Sequence, residues 1–292
     1  MWWYVIILIS AILLGLGDIY RKKTLTKEHT MQFVTAFMTF LFLLSFVFVF
    51  MGKVDFSITF SQMSFIALKS ILILLAFTMI MKALRHTDIS KTAPLRNLSI
   101  IFVVILSVIV LEETLSIKGI LGVFAILIGT YLVEVNPKLK HHFHPFSIFK
   151  NKYSIFIMIY LIAISFTGLV DKIILSGQIN AYTYLFFTAM FNTIFAWTIQ
   201  ISFYEGKMDV KTAIRNGGSW LILAALLTIS SDILYFSALA VPTVYLSLAA
   251  PLRRISSLVS TAFGGKMLHE KHLTHRVIGC IVMLIGAFLI LT

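Results

Sequence analysis

The sequence consists of long apolar runs separated by short polar connectors. A helix that crosses about 30 Å of hydrocarbon needs roughly 20 mostly apolar residues. Ten runs meet this requirement, and each is predicted to form a membrane-spanning helix. The predicted spans are residues 2–20, 31–51, 63–84, 89–111, 117–133, 153–175, 181–204, 219–240, 243–265 and 273–291.

One short segment occurs twice in the chain. The Ala-Pro-Leu-Arg segment 93–96 returns as 250–253, and the same separation aligns Glu113 with Glu270. Such a constant register over a long stretch indicates an internal repeat.

The longest polar connector, residues 135–152, divides the ten spans into five and five. We therefore predict a first repeat over residues 1–134 and a second over 153–292. Because five is odd, two halves with the same internal order enter the membrane in opposite senses. The predicted fold is an all-α integral membrane protein of ten spans, built from two inverted-topology five-helix repeats.

Composition supports a membrane protein and sets its orientation. The chain is 59% hydrophobic and 12% charged, and its net charge of +12 comes from Lys and Arg in the connectors rather than from a nucleic-acid-binding patch. One side of the membrane carries most of them, and the other has Lys53, Lys118 and Lys172. The positive-inside rule predicts a cytoplasmic connector 135–152 and both chain ends outside, in a multi-pass protein of the cell membrane.

The sequence offers no catalytic or metal-binding motif. Walker, His-Glu-x-x-His and Gly-x-Ser-x-Gly patterns are absent, so we predict no enzyme and no cofactor. The His-rich tract 141–144 lacks acids or Cys at ligand spacing, which favours a solvated connector over a zinc site. Cys280, the single cysteine, excludes an internal disulfide.

Both copies of the repeated segment place an arginine inside an apolar run, where a charge is expensive and indicates a functional site. Arg96 and Arg253 are these residues, and Arg254 follows directly. Pro94 and Pro251 precede the arginines and are predicted to break their helices, since proline removes a backbone donor.

Acidic and amide side chains in the predicted spans are further candidate site residues. Asp232 is placed to form an ion pair with Arg253, either as a structural pair or as part of a solute site. Asn192 lies mid-span as interhelical glue or as a ligand group. Asp18 and Asp171 are interpreted first as interfacial salt bridges and second as proton or cation sites.

Lysines inside the third span have a simpler interpretation. Lys69 and Lys82 each lie towards one end of the run, so both are predicted to extend to the membrane interface.

Residues 83–133 and 240–290 resemble the EamA repeat of the drug/metabolite transporter superfamily. The resemblance rests on an Ala-Pro-Leu helix entry, a Leu-x-Glu turn and a glycine-containing final helix in each copy. It implies a ten-helix carrier whose central cavity is lined by the first, third and fourth helices of each half. Family members are often drawn with cytoplasmic ends, whereas the charge count places both ends outside.

The favoured function is a secondary active transporter of a small organic metabolite, anionic or zwitterionic because deep arginines outnumber deep acids. The alternative is an exporter of cationic drugs or polyamines that exchanges them for protons at Asp18, Asp171 or Asp232. A membrane-embedded lipid-modifying enzyme and a non-transporting scaffold fit less well. The expected partners are the lipid bilayer and a small-molecule solute. Coupling to protons or ions is compatible with the sequence, and so is either a monomer or a homodimer.

A reporter fused to Thr292 tests the predicted orientation. Because Lys and Arg concentrate on the side of connector 135–152, we expect the reporter to be active only outside the cell. A second fusion within the connector should give the opposite result, and cytoplasmic activity at Thr292 would reverse the assignment.

Overall fold

A computed structural model describes residues 2–25, 30–86, 98–134, 154–177, 179–204, 207–256, 258–260 and 273–291. The regular secondary structure of this part of the chain is helical, as predicted. Its helices are α1 Trp3–Leu25, α2 Thr30–Phe50, α3 Phe60–His86, α4 Leu98–Val110, α5 Ile117–Glu134, α6 Ser154–Ser176, α7 Ala181–Phe203, α8 Lys207–Leu239, α9 Leu246–Arg253 and α10 Leu273–Leu291.

Six of the described helices are long and apolar enough to cross a membrane, namely α1, α2, α3, α6, α7 and α8. Shorter apolar helices cover Ser99–Val110, Ile117–Leu132 and Ile281–Ile290. Large side chains such as Phe50 and Phe288 lie exposed on the surface, as a lipid-facing surface requires. Ten spans in inverted repeats stay a prediction.

The chain forms two compact units, and each unit takes elements from both halves of the sequence. The first unit comprises Met1–Leu74 and Val170–Val244, and the second comprises Leu75–Leu169 and Tyr245–Thr292. Two of the three chain boundaries between them fall inside α3 and α6, and the third lies just before α9. The two compact units therefore do not coincide with the two predicted repeats. The division of the sequence at residues 135–152 stays a prediction.

Interhelical hydrogen bonds hold the helices of the first unit together. The Ser10 hydroxyl of α1 donates to the Ser231 carbonyl of α8 at 2.8 Å. The indole of Trp197 on α7 donates to Thr39 Oγ1 on α2 at 3.0 Å. Such bonds between polar side chains and neighbouring helices stabilise helix pairs in an apolar environment.

Glycine allows close packing of α5 and α10 in the second unit. A Cβ placed at Gly122 would lie 2.7 Å from the Gly286 carbonyl oxygen, and one at Gly129 would lie 2.6 Å from the Gly279 carbonyl oxygen. The seven-residue spacing puts each glycine pair on one helix face. These glycines therefore let the backbones of α5 and α10 approach closely.

Helices at corresponding positions of the two predicted repeats pack together. Helix α2 contacts α7, α4 contacts α9, and α5 contacts α10. Repeats related by a two-fold axis produce this pattern. Helices α1 and α2 also pack against α8, which corresponds to neither, so the inverted repeat stays a prediction.

A glycine breaks one helix, and a proline lies near the end of another, where the sequence predicts a break. Helix α8 is broken at Gly218, whose φ of 49° favours glycine over any other residue. Helix α9 contains Pro251 and ends two residues later at Arg253. Because proline lacks an N–H, it cannot continue the ladder of backbone bonds.

The α5–α10 contact makes a stability prediction. Gly129→Ala should lower the free energy of unfolding by about 1–3 kcal/mol, because the added methyl group meets backbone atoms that cannot move aside. Gly168→Ala is the matched control, since its Cβ would meet only Val103 Cγ2 at 3.9 Å. Thermal unfolding in detergent should separate the two variants, and equal losses would contradict the close packing.

Candidate functional site

The second unit holds two of the predicted arginines at the end of α9, a helix of eight residues. Glu113, in the turn after α4, fixes where this helix begins. Its carboxylate accepts hydrogen bonds from the backbone N–H groups of Leu246 at 2.6 Å and Ser247 at 2.9 Å, and from the Ser247 hydroxyl. Free N–H groups at a helix start attract a carboxylate. Glu113 is thus a helix cap.

The far end of α9 is tied back to α4 by an arginine. Arg254 donates a hydrogen bond from its guanidinium to Ser99 Oγ at 2.9 Å. Ser99 is buried, and its carbonyl accepts a bond from the Ser165 hydroxyl of α6 at 3.2 Å. Arg253 and Arg254 are themselves half-buried. Two cations therefore lie side by side at the end of α9.

The structure does not test the remaining members of the predicted arginine site. Arg96 and Pro94 lie outside the described residues. Asp232 belongs to the first unit and Arg253 to the second. Their ion pair stays a prediction.

The first unit contains a buried cluster that the sequence does not reveal, and we call Lys69, Asp171 and Tyr184 the lysine cluster. Lys69 Nζ lies 3.2 Å from Asp171 Oδ1, and the Tyr184 hydroxyl donates to the same oxygen. Lys69 is 2% exposed, Asp171 8% and Tyr184 0%. Three helices, α3, α6 and α7, each contribute one member.

Aromatic rings complete the environment of the lysine. Lys69 Nζ lies 4.9 Å from the centre of the Tyr184 ring and 5.3 Å from that of Phe236, which meet edge to face. A cation over an aromatic face is attracted by the ring quadrupole, more strongly when water is excluded. The cluster is thus a built site for an ammonium group, occupied by Lys69.

Lys172, next to Asp171 on α6, is buried in a different way. Its Nζ donates to the carbonyl oxygens of Leu239 at 2.9 Å and Val241 at 3.0 Å. These carbonyls lie at the end of α8, where a cation is stabilised by free acceptors and the helix dipole. Lys172 therefore has a structural role that Lys69 does not share.

A line of polar residues continues along α7 from the lysine cluster. Tyr184, Thr188 and Asn192 follow one another at intervals of four, and all are buried. Among the described residues, no group donates a hydrogen bond to Asn192 Oδ1. The predicted role of Asn192 in solute binding stays a prediction.

A polar cavity of about 250 Å³ lies in the first unit, at the end of α3 where that helix begins. Its lining includes Asp55, Gln62, Gly177 and Thr183. Hydrogen bonds from the Ser57 side chain and backbone lower the pKa of Asp55, so this carboxylate is ionised at neutral pH. The cavity is hydrophilic and wide enough for several water molecules.

The charged residues that were predicted to lie at the membrane interface differ in where the structure places them. The prediction that Lys69 extends to the interface is wrong, because Asp171 and two aromatic rings hold its ammonium inside the protein. The predicted salt bridge of Asp18 forms with Arg21 near the end of α1. The side chain of Lys82 lies outside the described part of the chain.

Asp171 forms a salt bridge too, but in the interior of the first unit rather than at the interface. The sequence holds one indication of this pair: an acid in α6 and a base in α3 lie at a similar depth in their predicted spans.

Within the described residues, no three His, Cys, Asp or Glu side chains are grouped as metal ligands. The His-rich tract 141–144 lies outside them.

The long apolar helices of the described residues are those of a multi-pass membrane protein. Residues 1–135 match the model of the EamA-like transporter family. This match confirms the predicted resemblance of the chain to EamA-type transporters. No curated protein matches the sequence.

A solved structure shares the fold over nearly the whole chain. It is described only as the crystal structure of a protein, with a TM-score of 0.77 and 12% sequence identity. The alignment covers 99% of this chain and 98% of that one. At this identity the likeness shows the fold alone.

The lysine cluster makes a double-mutant prediction. Lys69→Met or Asp171→Leu alone should cost about 3–5 kcal/mol, since each leaves a buried charge uncompensated. The double variant should cost less than the sum. Thermal unfolding of all three measures the coupling.

The more exposed pair Asp18 and Arg21 is the matched control for this cycle. Replacing either partner there should cost at most about 1 kcal/mol, because water screens the charges. Additive losses at Lys69 and Asp171 would contradict the buried pair.

Proposed function

We propose that the protein is a secondary active transporter of a small organic solute that carries a carboxylate or phosphate group, either an anion or a zwitterion. Solute crosses by alternating access, as one arrangement of the helices replaces another. The observation that carries this proposal is the pair of half-buried arginines, Arg253 and Arg254, at the end of α9. The buried acid described in the same unit, Glu113, already accepts hydrogen bonds from the first N–H groups of this helix.

The chemistry of arginine favours an anionic partner. Its guanidinium presents a planar fork of donors that matches a carboxylate or a phosphate, and it stays ionised at all relevant pH values. In a site with little water, the field of two adjacent cations is screened weakly. The single hydrogen bond from Arg254 to Ser99 leaves other donors of the same guanidinium for a solute.

A cationic solute fits the described acids less well. Asp18 is paired with Arg21, and Asp171 is held by Lys69 and Tyr184. Asp232 is the remaining acid of the cation hypothesis, and Asp232→Asn therefore belongs in the test. An exporter of cationic drugs or polyamines in exchange for protons is the second candidate.

A catalytic function has less support than transport. The family match is to transporters, and a lipid-modifying enzyme would need converging nucleophilic or acid–base groups. The lysine cluster supplies one acid, one base and a phenol, without a nucleophile activated by a general base.

Transport by the purified protein in proteoliposomes, with a panel of labelled carboxylates, phosphates, amino acids and polyamines, tests the proposal. For the solute that is transported best, Arg254→Gln should lower kcat/KM by about 10- to 100-fold, the value of a hydrogen bond to a charged group. Arg254→Lys should recover only part of this loss, because lysine lacks the fork.

Two control variants separate solute binding from structure. Lys118→Gln removes an exposed cation of the same unit and should leave transport unchanged. Ser99→Ala removes the described partner of Arg254 and should have a smaller effect than Arg254→Gln. Full transport in the Arg253→Gln and Arg254→Gln variants, with loss only in Asp232→Asn, would replace the anion hypothesis by the cation hypothesis.

A further inference from the structure

Helix α8 is longer than one membrane span requires. As a continuous helix its 33 residues would measure about 50 Å, whereas the hydrocarbon of a bilayer is about 30 Å thick. The break at Gly218 divides the helix into residues 207–217 and 219–239. The second part is about 31 Å long and crosses the hydrocarbon by itself. The first part, which we call the surface segment (residues 207–217), is therefore left at the membrane surface.

The break is held in place by the backbone and by a neighbouring helix. Gly218 has φ 49° and ψ −140°, a conformation that is open to glycine and strained for other residues. The adjacent Gly217 packs against α1, because a Cβ at this position would lie 2.9 Å from Thr24 Cγ2. The surface segment therefore leaves the span at a defined position.

Aromatic side chains mark the depth of the break. Trp220, two residues after Gly218, is 40% exposed and stacks on Tyr20 of α1 with 5.2 Å between the ring centres. Tryptophan and tyrosine are enriched at the level of the lipid headgroups. Asp18 and Arg21 form their salt bridge in the turn of α1 that contains Tyr20. The break and the surface segment therefore lie in the headgroup region.

The surface segment is amphipathic. Val210, Ala213 and Gly217 are buried, and their spacing of three and four places them on one helix face. Lys211 and Arg215 are exposed and lie four positions apart, so they share a second face. One face of the segment thus packs on the first unit, and another presents two cations to the surroundings.

The two cations lack a balancing acid among the described residues. Neither Lys211 nor Arg215 is hydrogen-bonded or ion-paired to another described residue. Asp209, the acid nearest to Lys211 in the sequence, precedes it by two positions, and residues two apart do not face each other on a helix. Side chains four apart are neighbours, and like charges at this spacing destabilise a helix. An anion bound between the two cations removes this cost.

We propose that the surface segment binds an anionic phospholipid, whose phosphate lies between Lys211 and Arg215. The headgroup region supplies this anion, and the fork of arginine donors matches a phosphate. Ile214, 38% exposed, offers apolar surface to the acyl chains. In the predicted orientation the segment faces the cytoplasm, where the leaflet carries anionic lipids. This lipid site does not depend on the proposed transport of a solute.

Quenching of Trp220 fluorescence by brominated lipids measures which lipid occupies the site. Replacing Trp2, Trp3 and Trp197 by phenylalanine leaves Trp220 as the reporter. The protein is reconstituted in phosphatidylcholine vesicles that contain either brominated phosphatidylglycerol or brominated phosphatidylcholine. We expect a preference for phosphatidylglycerol of up to about 25-fold, since each cation near the membrane surface contributes about fivefold. Raising the salt concentration should reduce this preference.

Charge-removing variants assign the preference to the surface segment. Lys211→Gln and Arg215→Gln should each lower it by up to about fivefold, and the double variant should bring the two lipids close to equal binding. Lys53→Gln is the matched control. It removes an exposed cation from the loop between α2 and α3 of the same unit, where Lys53 lies over the Tyr182 ring, and should leave the preference unchanged.

Equal quenching by both lipids in the protein without charge changes, or an unaltered preference in the double variant, would overturn the proposal. If the single-tryptophan protein does not fold, native mass spectrometry of the protein with its own tryptophans decides instead. The Lys211→Gln/Arg215→Gln variant should then retain fewer phosphatidylglycerol molecules than the Lys53→Gln variant, and equal retention would overturn the proposal. Neither readout involves transport, so either result is independent of the proposed function.

Discussion

The hydrocarbon of a bilayer offers no water to a buried charge, and this constraint governs the structure. Each charged side chain that is buried among the described residues has a partner supplied by another segment of the chain. Glu113 accepts from the start of α9, Lys172 donates to the end of α8, and Lys69 pairs with Asp171. Satisfying charges in this way also fixes how the helices meet, because every such contact joins segments distant in sequence.

The same constraint separates structural charges from functional ones. Glu113 and Lys172 bind backbone groups at helix ends, which do not titrate. Lys69 and Arg254 contact side chains instead, so their partners can be exchanged. We expect solute recognition at the arginine contact, and stability at the backbone contacts.

Much of the fold follows from the sequence because apolar length determines a membrane helix. The predicted spans agree with the six long helices, except that α8 begins before its predicted span and is broken at Gly218, immediately before that span begins. The arrangement of charges is less predictable. Lys69 and Asp171 are 102 positions apart, and nothing in either local pattern indicates that α3 and α6 meet at that depth. A lysine near a helix end can reach the membrane interface or pair with a buried acid, and tertiary contacts decide which of the two occurs.

The central claim is that the transporter recognises negative charge on its solute. Inhibition of exchange by a carboxylate and by its methyl ester, a neutral analogue of nearly the same shape, tests this most directly. We predict that the carboxylate competes at least about tenfold more strongly than the ester, as expected for loss of one charge-assisted contact. Equal inhibition by the two compounds would contradict the account.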